Sequence, residues 1–236
     1  MNKNLNKLVC AGALMALGFT ASAYTIFDNT TAYNTNLLTA PNGLEIGNEV
    51  TLGSGWYLTN FQFEYYSSNL TLNAGLGIDV KFYSTNGGTI SPQGYLSPGT
   101  LIFNSGFFYN TGSTLIPGNG AHDWSYNAFD LYTGAAVPLN TGLAGNKLPT
   151  DFFFTITFAN MGTNNIQFPL ANTSTGTNYG TYWEYNTFSS QWNVYTNSVP
   201  ANFLVVFQGV PEPSVYGLGV IGSVLLFGVS MLKRKR

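Results

Sequence analysis

The residues that could do chemistry are few, and they do not form a catalytic pattern. His122, the only histidine among the 236 residues, stands beside Asp123. A hydrolase triad would also need a serine nucleophile, and the sequence contains no Gly-x-Ser-x-Gly nucleophile elbow. One histidine cannot supply the ligands that zinc prefers. We therefore interpret His122 as a surface-loop residue and predict no zinc site.

The segment around Asp123 offers the best oxygen ligands in the chain. Asp123 and Asp130, together with Asn119 and Asn127, lie in one loop-like stretch. Carboxylate and amide oxygens suit Ca²⁺, so Asp123 and Asp130 are a weak calcium candidate. Their spacing is not that of an EF-hand, and Asn and Asp also favour turns for backbone reasons. We predict no metal ion and no cofactor.

Acidic residues also raise the question of glycoside hydrolysis. That chemistry requires two carboxylates facing each other across a cleft. Glu64, Asp79 and Glu184 lie in strand-like segments and could converge on one sheet face. Acids on the solvent face of a strand are the ordinary case, so a secreted hydrolase is the second alternative only.

Aromatic residues are concentrated in two neighbouring strand-like segments. The set consists of Tyr182, Trp183, Tyr185, Trp192 and Tyr195. Aromatic rings beside carboxylates and amides can stack against sugar rings, but cross-strand aromatic pairs also stabilise sheets and fill cores. Because strand side chains alternate between faces, one face of the hairpin should point outward. The set is therefore a candidate sugar-binding surface.

Composition narrows the partners of the central region, residues 24–209. Nine acidic residues stand against Lys81 and Lys147, giving a net charge of −7. Nucleic acid is excluded as a partner because phosphate binding needs a basic surface. Cys10, the only cysteine, precedes this region, so the region has no disulfide. Its 186 residues are enough for one domain with a sizeable core.

Alternation of apolar and polar residues predicts strands throughout this region. Leu76, Ile78, Val80 and Phe82 alternate with polar neighbours, and the run that starts at Phe152 behaves in the same way. The other predicted strand-like runs are 57–66, 69–73, 100–109, 165–170, 181–186, 191–196 and 202–208. About eight to ten strands with polar turns predict an all-β domain, a two-layer β-sandwich with jelly-roll-like connections. The segments 111–120 and 135–150 are predicted loops.

The first 23 residues have the pattern of a secretory signal peptide. Lys3 and Lys7 precede an apolar run over 8–19, and Ala21 and Ala23 form the small-x-small cleavage pattern. The mature chain is therefore predicted to begin at Tyr24.

The last 27 residues combine three features in a fixed order. The first feature is a proline-containing motif, which consists of Val210, Pro211, Glu212, Pro213 and the following serine. An uncharged apolar stretch over 215–232 follows it. The chain ends with four basic residues, Lys233, Arg234, Lys235 and Arg236. Eighteen residues form a helix of about 27 Å, which approaches the hydrocarbon thickness of a bilayer. A single transmembrane helix with a cytoplasmic basic tail is predicted.

This ending resembles the PEP-CTERM sorting signal of Gram-negative bacteria. The resemblance covers about a tenth of the chain, with the motif at 210–214, the helix at 215–232 and the basic tail at 233–236. It implies processing near the motif by an exosortase-type enzyme and delivery to the cell surface or to an exopolysaccharide matrix. Before processing, the resemblance implies an inner-membrane anchor with a periplasmic ectodomain.

Together these features predict an exported, non-enzymatic surface or extracellular-matrix protein. A carbohydrate-binding, lectin-like module is the first alternative, and an exposed aromatic platform would favour it. The plain alternative for the C-terminus is a linker followed by a simple tail anchor.

Overall fold

A computed structural model describes residues 24–52, 56–67, 75–90, 94–109, 120–127, 147–163, 165–171, 181–196 and 201–211. In these residues the regular structure is β-strand, apart from one short 3₁₀ turn at Thr30–Ala32. The predicted all-β class is confirmed. Residues Tyr24–Gly209 form one compact unit.

Seventeen strands lie within the described residues, more than the eight to ten that the sequence predicts. In chain order they are β1 (Tyr24–Asp28), β2 (Tyr33–Thr39), β3 (Glu45–Thr51), β4 (Trp56–Ser67), β5 (Gly77–Ser84), β6 (Thr89–Ile90), β7 (Tyr95–Leu96), β8 (Leu101–Asn104), β9 (Phe108–Tyr109), β10 (Gly120–Asn127), β11 (Lys147–Leu148), β12 (Asp151–Ala159), β13 (Ile166–Ala171), β14 (Thr181–Asn186), β15 (Gln191–Thr196), β16 (Asn202–Phe203) and β17 (Val205–Pro211). Part of the excess arises because predicted runs are interrupted. The run 100–109 divides into β8 and β9 around Gly106, whose φ of 67° no strand allows.

The strands form two large antiparallel sheets. The eight-stranded sheet has the order β1-β17-β4-β13-β16, with β10 and β11 also paired to β4 and β2 paired to β13. The seven-stranded sheet has the order β15-β14-β3-β12-β5-β8, with β9 also paired to β5. A small ladder joins β6 to β7. Successive strands change sheet repeatedly, as β3, β4 and β5 do.

The two large sheets share one aromatic core. The ring centroid of Phe61 in β4 lies 5.5 Å from that of Phe82 in β5 and 5.6 Å from that of Phe154 in β12. Phe207 in β17 lies 6.1 Å from Phe82. Each of these rings is almost fully buried. Burial of so much aromatic surface is the main stabilising contribution in a domain without disulfides.

Two buried asparagines tie residues 201–205 to the rest of the domain. Asn48 donates to the carbonyls of Thr181 and Ala201, at 2.8 and 2.9 Å, and accepts from the amide of Phe203 at 2.7 Å. Asn29 donates to the Phe203 carbonyl at 2.8 Å and accepts from the Val205 amide at 2.7 Å. These bonds satisfy backbone groups that the strand ladders leave without partners.

The predicted terminal signals lie outside the described residues, except that β17 continues through Val210 and Pro211. The predicted signal peptide, its cleavage pattern at Ala21 and Ala23, and the basic tail therefore stay predictions. Among the described residues, no helix has the length and apolar character needed to cross a bilayer.

Candidate functional site

The outward face of the seven-stranded sheet carries most of the described groups that could act on a ligand. Phe152, Phe154, Ile156 and Phe158 of β12 point into the core, so Phe153, Thr155 and Thr157 point outward. Residues opposite one another in register share a face. On the flanking strands, the residues that point outward are Asp79, Lys81 and Tyr83 in β5 and Glu45, Gly47 and Glu49 in β3. We call this surface the outer face.

A carboxylate–lysine cluster, formed by Glu45, Asp79 and Lys81, lies on this outer face. The Nζ atom of Lys81 is 2.7 Å from Oε2 of Glu45 and 3.7 Å from Oδ2 of Asp79. Thr155 donates to Oε1 of Glu45 at 2.5 Å, and Ser105 donates to Oδ1 of Asp79 at 3.1 Å. The side chains of Glu45 and Asp79 are only 8% and 4% exposed. Each carboxylate is therefore buried with both oxygens in contact with partners.

Burial perturbs the titration of the groups in and around this cluster. It raises the pKa of Asp79, while the Lys81 ammonium and the Ser105 hydroxyl oppose the shift. Burial, followed by the nearby Glu45 charge, raises the pKa of the Tyr83 phenol far above its ordinary value of 10.0. The Tyr83 hydroxyl lies close enough to Glu45 to interact with its carboxylate. Tyr83 is thereby fixed to the carboxylate–lysine cluster.

Three aromatic rings meet above the carboxylate–lysine cluster. The Trp192 ring centroid lies 5.4 Å from that of Tyr83 at an interplanar angle of 77°, and 5.0 Å from that of Tyr185 at 57°. Tyr83 belongs to β5 and Trp192 to β15, although β14, β3 and β12 lie between these strands. The two side chains therefore reach toward each other across the outer face. We call Tyr83, Tyr185 and Trp192 the ring cluster; all three are partly buried.

Gly47 of β3 lies on the same outer face. It pairs with Thr155 on one side and with Trp183 on the other. A Cβ atom at this position would stand 1.9 Å from the Phe154 carbonyl oxygen. The strand pairing of β3 with β12 therefore requires glycine here.

The structure divides the predicted sugar-binding set between the two faces of the β14–β15 hairpin. Tyr185 and Trp192 are in register and lie on the outer face. Tyr182 and Tyr195 stack at 5.0 Å and 12° on the opposite face, where Tyr182 packs against the core. Trp183 is 1% exposed and contacts Phe153 edge-on at 5.6 Å. The expectation that Trp183 belongs to an exposed platform is wrong, because the Trp183 ring covers the Gly47 strand and is itself covered.

The structure corrects one further expectation about site residues. His122 and Asp123 lie in β10, opposite Tyr65 and Glu64 of β4, and not in a loop. Asp130 lies outside the described residues. Among the side chains that the structure describes, no group of three or more His, Cys, Asp or Glu residues is placed to hold a metal ion.

The three predicted carboxylates do not converge. Glu64 belongs to the eight-stranded sheet and Asp79 to the outer face of the seven-stranded sheet. Glu184 alternates with Trp183 and so points to the opposite face of its hairpin, where the Tyr195 hydroxyl donates to it at 3.5 Å. The pairing that does form, between Asp79 and Glu45 through Lys81, was missed. Its only sequence signal is the i, i+2 spacing of Asp79 and Lys81 on the polar side of β5.

Described residues also line two cavities away from the outer face. A cavity of about 140 Å³ on the eight-stranded sheet is lined by Thr30, Gln62, Phe63, Glu64 and Val206. Its volume is well below the roughly 300 Å³ at which small-molecule pockets begin. A space of about 10 Å³ adjoins the buried Asn202, whose Oδ1 atom lacks a protein partner. That space matches a single water molecule.

Comparison with protein families, with curated protein sequences and with solved structures finds no significant match to this chain. The candidate site therefore rests on its own geometry.

Proposed function

We propose that this chain is an exported, non-enzymatic protein of the cell surface or extracellular matrix, sorted by a C-terminal PEP-CTERM-like signal. In this proposal a signal peptide over 1–23 directs export, and a transmembrane helix over 215–232 holds the precursor in the inner membrane. An exosortase-type enzyme then processes the precursor near Pro211–Pro213. The ectodomain over 24–209 is a β-sandwich with jelly-roll-like connections, in keeping with the repeated change of sheet along the chain.

The observation that carries the proposal is the pairing of the first strand with the last. Strand β1 begins at Tyr24, the predicted first residue of the mature chain, and pairs with β17, with Tyr24 opposite Gly209. Strand β17 then continues to Pro211, the first proline of the predicted motif. The folded unit thus begins at one predicted processing signal and ends at the other, as expected of a domain delivered by both.

Replacement of Pro211, Glu212 and Pro213 by alanines in the native host tests this proposal. If a processing enzyme recognises the motif, the unprocessed form of this variant should accumulate, and its delivery to the surface or matrix should fall. The matched control replaces Thr187, Phe188 and Ser189, on the exposed hairpin turn, by alanines and should leave processing unchanged. Equal processing of the motif variant and the unaltered chain would contradict sorting and leave a tail anchor.

A second variant separates anchoring from sorting. A chain that ends after Pro211 retains all of β17 and lacks the apolar stretch and the basic tail. We expect it to be released into the periplasm with no membrane-bound form. Its retention in the membrane would contradict the assignment of 215–232 as the anchor.

The second candidate function is carbohydrate binding by the ectodomain. The specific observation in its favour is the ring cluster, which places Tyr185 and Trp192 of the predicted set beside Tyr83 at a partly open surface. A polysaccharide array probed with the protein tests this candidate. The other alternative, a glycoside hydrolase, gains no such support, because Glu45 and Asp79, two neighbouring carboxylates of the outer face, share the Lys81 ammonium and do not face each other across an open cleft.

A further inference from the structure

The outer face contains a buried ion pair, which is an expensive way to stabilise a fold. Glu45 and Asp79 are carboxylates removed from water, and Lys81 is the only described ammonium group that contacts them. Desolvation of buried ion pairs often cancels their attraction, and apolar residues of similar volume usually stabilise a fold at least as well. The arrangement does position one partly buried group, because Glu45 interacts with the hydroxyl of Tyr83. The carboxylates that lose hydration in the folded state are therefore the same ones that help to position the ring cluster.

The geometry of the ring cluster excludes a cage for a cation. Such cages hold a quaternary ammonium group between aromatic faces, which requires a gap between the rings. The Trp192 centroid is only 5.4 Å from Tyr83 and 5.0 Å from Tyr185, distances at which the rings touch. A ligand can therefore lie on the ring cluster but not within it.

The three rings alone present too little surface to form a stable protein interface. An aromatic side chain carries roughly 150–250 Å² of surface, so three partly buried rings present on the order of 200 Å². A stable protein interface needs about 800 Å² from each partner. An area of this size instead matches one or two sugar rings, whose C–H faces are apolar and whose hydroxyls remain in water.

The negative charge of this surface favours neutral saccharides over acidic ones. Two carboxylates lie beneath the rings against one ammonium, and the 24–209 region carries a net charge of −7. Glu49 on the same face adds a further acid, whose pKa is raised by burial and then by Asp151. An acidic saccharide would bring its carboxylate toward a negative surface, where like charges repel.

We infer that the ring cluster of Tyr83, Tyr185 and Trp192 binds neutral saccharides by stacking and discriminates against acidic ones. This inference rests on the carbohydrate-binding candidate above and adds the residues and the charge class of the ligand. Trp192 contacts both of the other rings, so it is the central stacking group. Tyr83 is held in place from below by Glu45.

The test compares two kinds of polysaccharide with the full-length chain in detergent. Immobilised neutral polymers (dextran, mannan and a β-glucan) are compared with acidic polymers (alginate and polygalacturonate) at equal sugar concentration. We expect retention on at least one neutral polymer and none on the acidic ones. Trp192→Ala should weaken that retention by about tenfold or more, the equivalent of one lost aromatic contact.

Variants on the same hairpin supply the controls. Phe188→Ala removes a ring that is 100% exposed at the hairpin turn and should leave binding unchanged. Tyr195→Ala removes a ring from the opposite face and should also leave it unchanged. Trp192→Phe keeps a smaller ring and should restore part of the binding, so the outcome does not depend on how well Trp192→Ala folds.

Three results would overturn the inference in distinguishable ways. Equal binding of acidic and neutral polymers would refute the charge selection. Neutral binding that survives Trp192→Ala but is lost in Tyr195→Ala would move the site to the opposite face. Absence of binding to every polymer would refute the carbohydrate-binding candidate together with this inference, while the sorting proposal, which is tested by processing, would stand.

Discussion

Replacement of Asn48 by alanine should destabilise the domain more than the loss of any surface residue. Asn48 is 2% exposed, and its side chain makes three hydrogen bonds to the backbone of Thr181, Ala201 and Phe203. All three of these residues are buried, so their backbone groups are not in contact with bulk water. Asn48→Ala therefore leaves two carbonyls and one N–H group unsatisfied.

The magnitude follows from these three groups. Each hydrogen bond contributes about 1 kcal/mol net, and each buried group left without a partner costs about 1–3 kcal/mol. With partial relaxation we expect a loss of about 3–5 kcal/mol, a large fraction of the 5–15 kcal/mol typical of a domain. Asn29→Ala, which removes two bonds, should cost about 2–3 kcal/mol.

Urea denaturation of residues 24–209, followed by tryptophan fluorescence, measures these losses. With a slope of about 2–3 kcal/mol per molar urea, the midpoint of Asn48→Ala should fall by about 1–2 M at an unchanged slope. Thr51→Ala, at the exposed end of the same strand, is the matched control and should change stability by less than about 0.5 kcal/mol. A loss below about 1 kcal/mol for Asn48→Ala would refute the reasoning.

Three other predictions follow from the fold and from the described charges. Residues 24–209, produced without either end, should give a β-type circular dichroism spectrum that a reducing agent does not change; a helical spectrum would contradict the all-β class. EDTA should hardly alter the melting temperature, whereas a calcium ion bound at 100 times its dissociation constant would raise stability by about 2.7 kcal/mol, and a shift of about 5–10 °C would reveal such an ion. Burial, and then the Asp151 charge, raise the pKa of Glu49 above 4.5 in the folded state. The folded state therefore binds this proton more tightly than the unfolded state does. The contribution of Glu49 to the free energy of unfolding consequently falls as pH rises from about 4.5 through the folded pKa. Glu49→Gln should flatten that part of the pH–stability curve, and an unchanged curve would contradict the shift.

The alternation of side chains along the central strands could be predicted from the sequence. Leu76, Ile78, Val80 and Phe82 are all 0% exposed, as their period of two indicates. The hairpin of β14 and β15 also has the predicted bounds, 181–186 and 191–196. These segments could be predicted because their own residues are typical of strands and alternate between apolar and polar side chains.

Strand β3 shows why other elements were missed. Its sequence, Glu-Ile-Gly-Asn-Glu-Val-Thr, contains few residues of high strand propensity. Its inward positions include Asn48, which is tolerated only because three distant backbone groups bond it. Gly47 is required by the close approach of β12. Both reasons are tertiary, and neither leaves a local pattern.

The candidate site could be predicted only in part for the same reason. The aromatic hairpin was evident, and so was the polar side of β5. The contact between Lys81 and Glu45, however, joins residues 36 positions apart, and Tyr83 meets Trp192 across three intervening strands. Composition cannot indicate which strands lie between two others, so neither the carboxylate–lysine cluster nor the ring cluster could be assembled beforehand.

The pairing of β1 with β17 also sets an order of events in biosynthesis. The chain is made from the N-terminus, yet Tyr24 pairs with Gly209, and Asn29 bonds the backbone of residues 174 and 176 positions further on. Contacts of such separation close late, because the loop entropy must be overcome before they form. On the export route proposed above, β1 therefore remains without its neighbour until the final strand has crossed the membrane. On that route, the eight-stranded sheet is completed only when all of residues 24–209 are present, just upstream of the residues where processing is proposed to act.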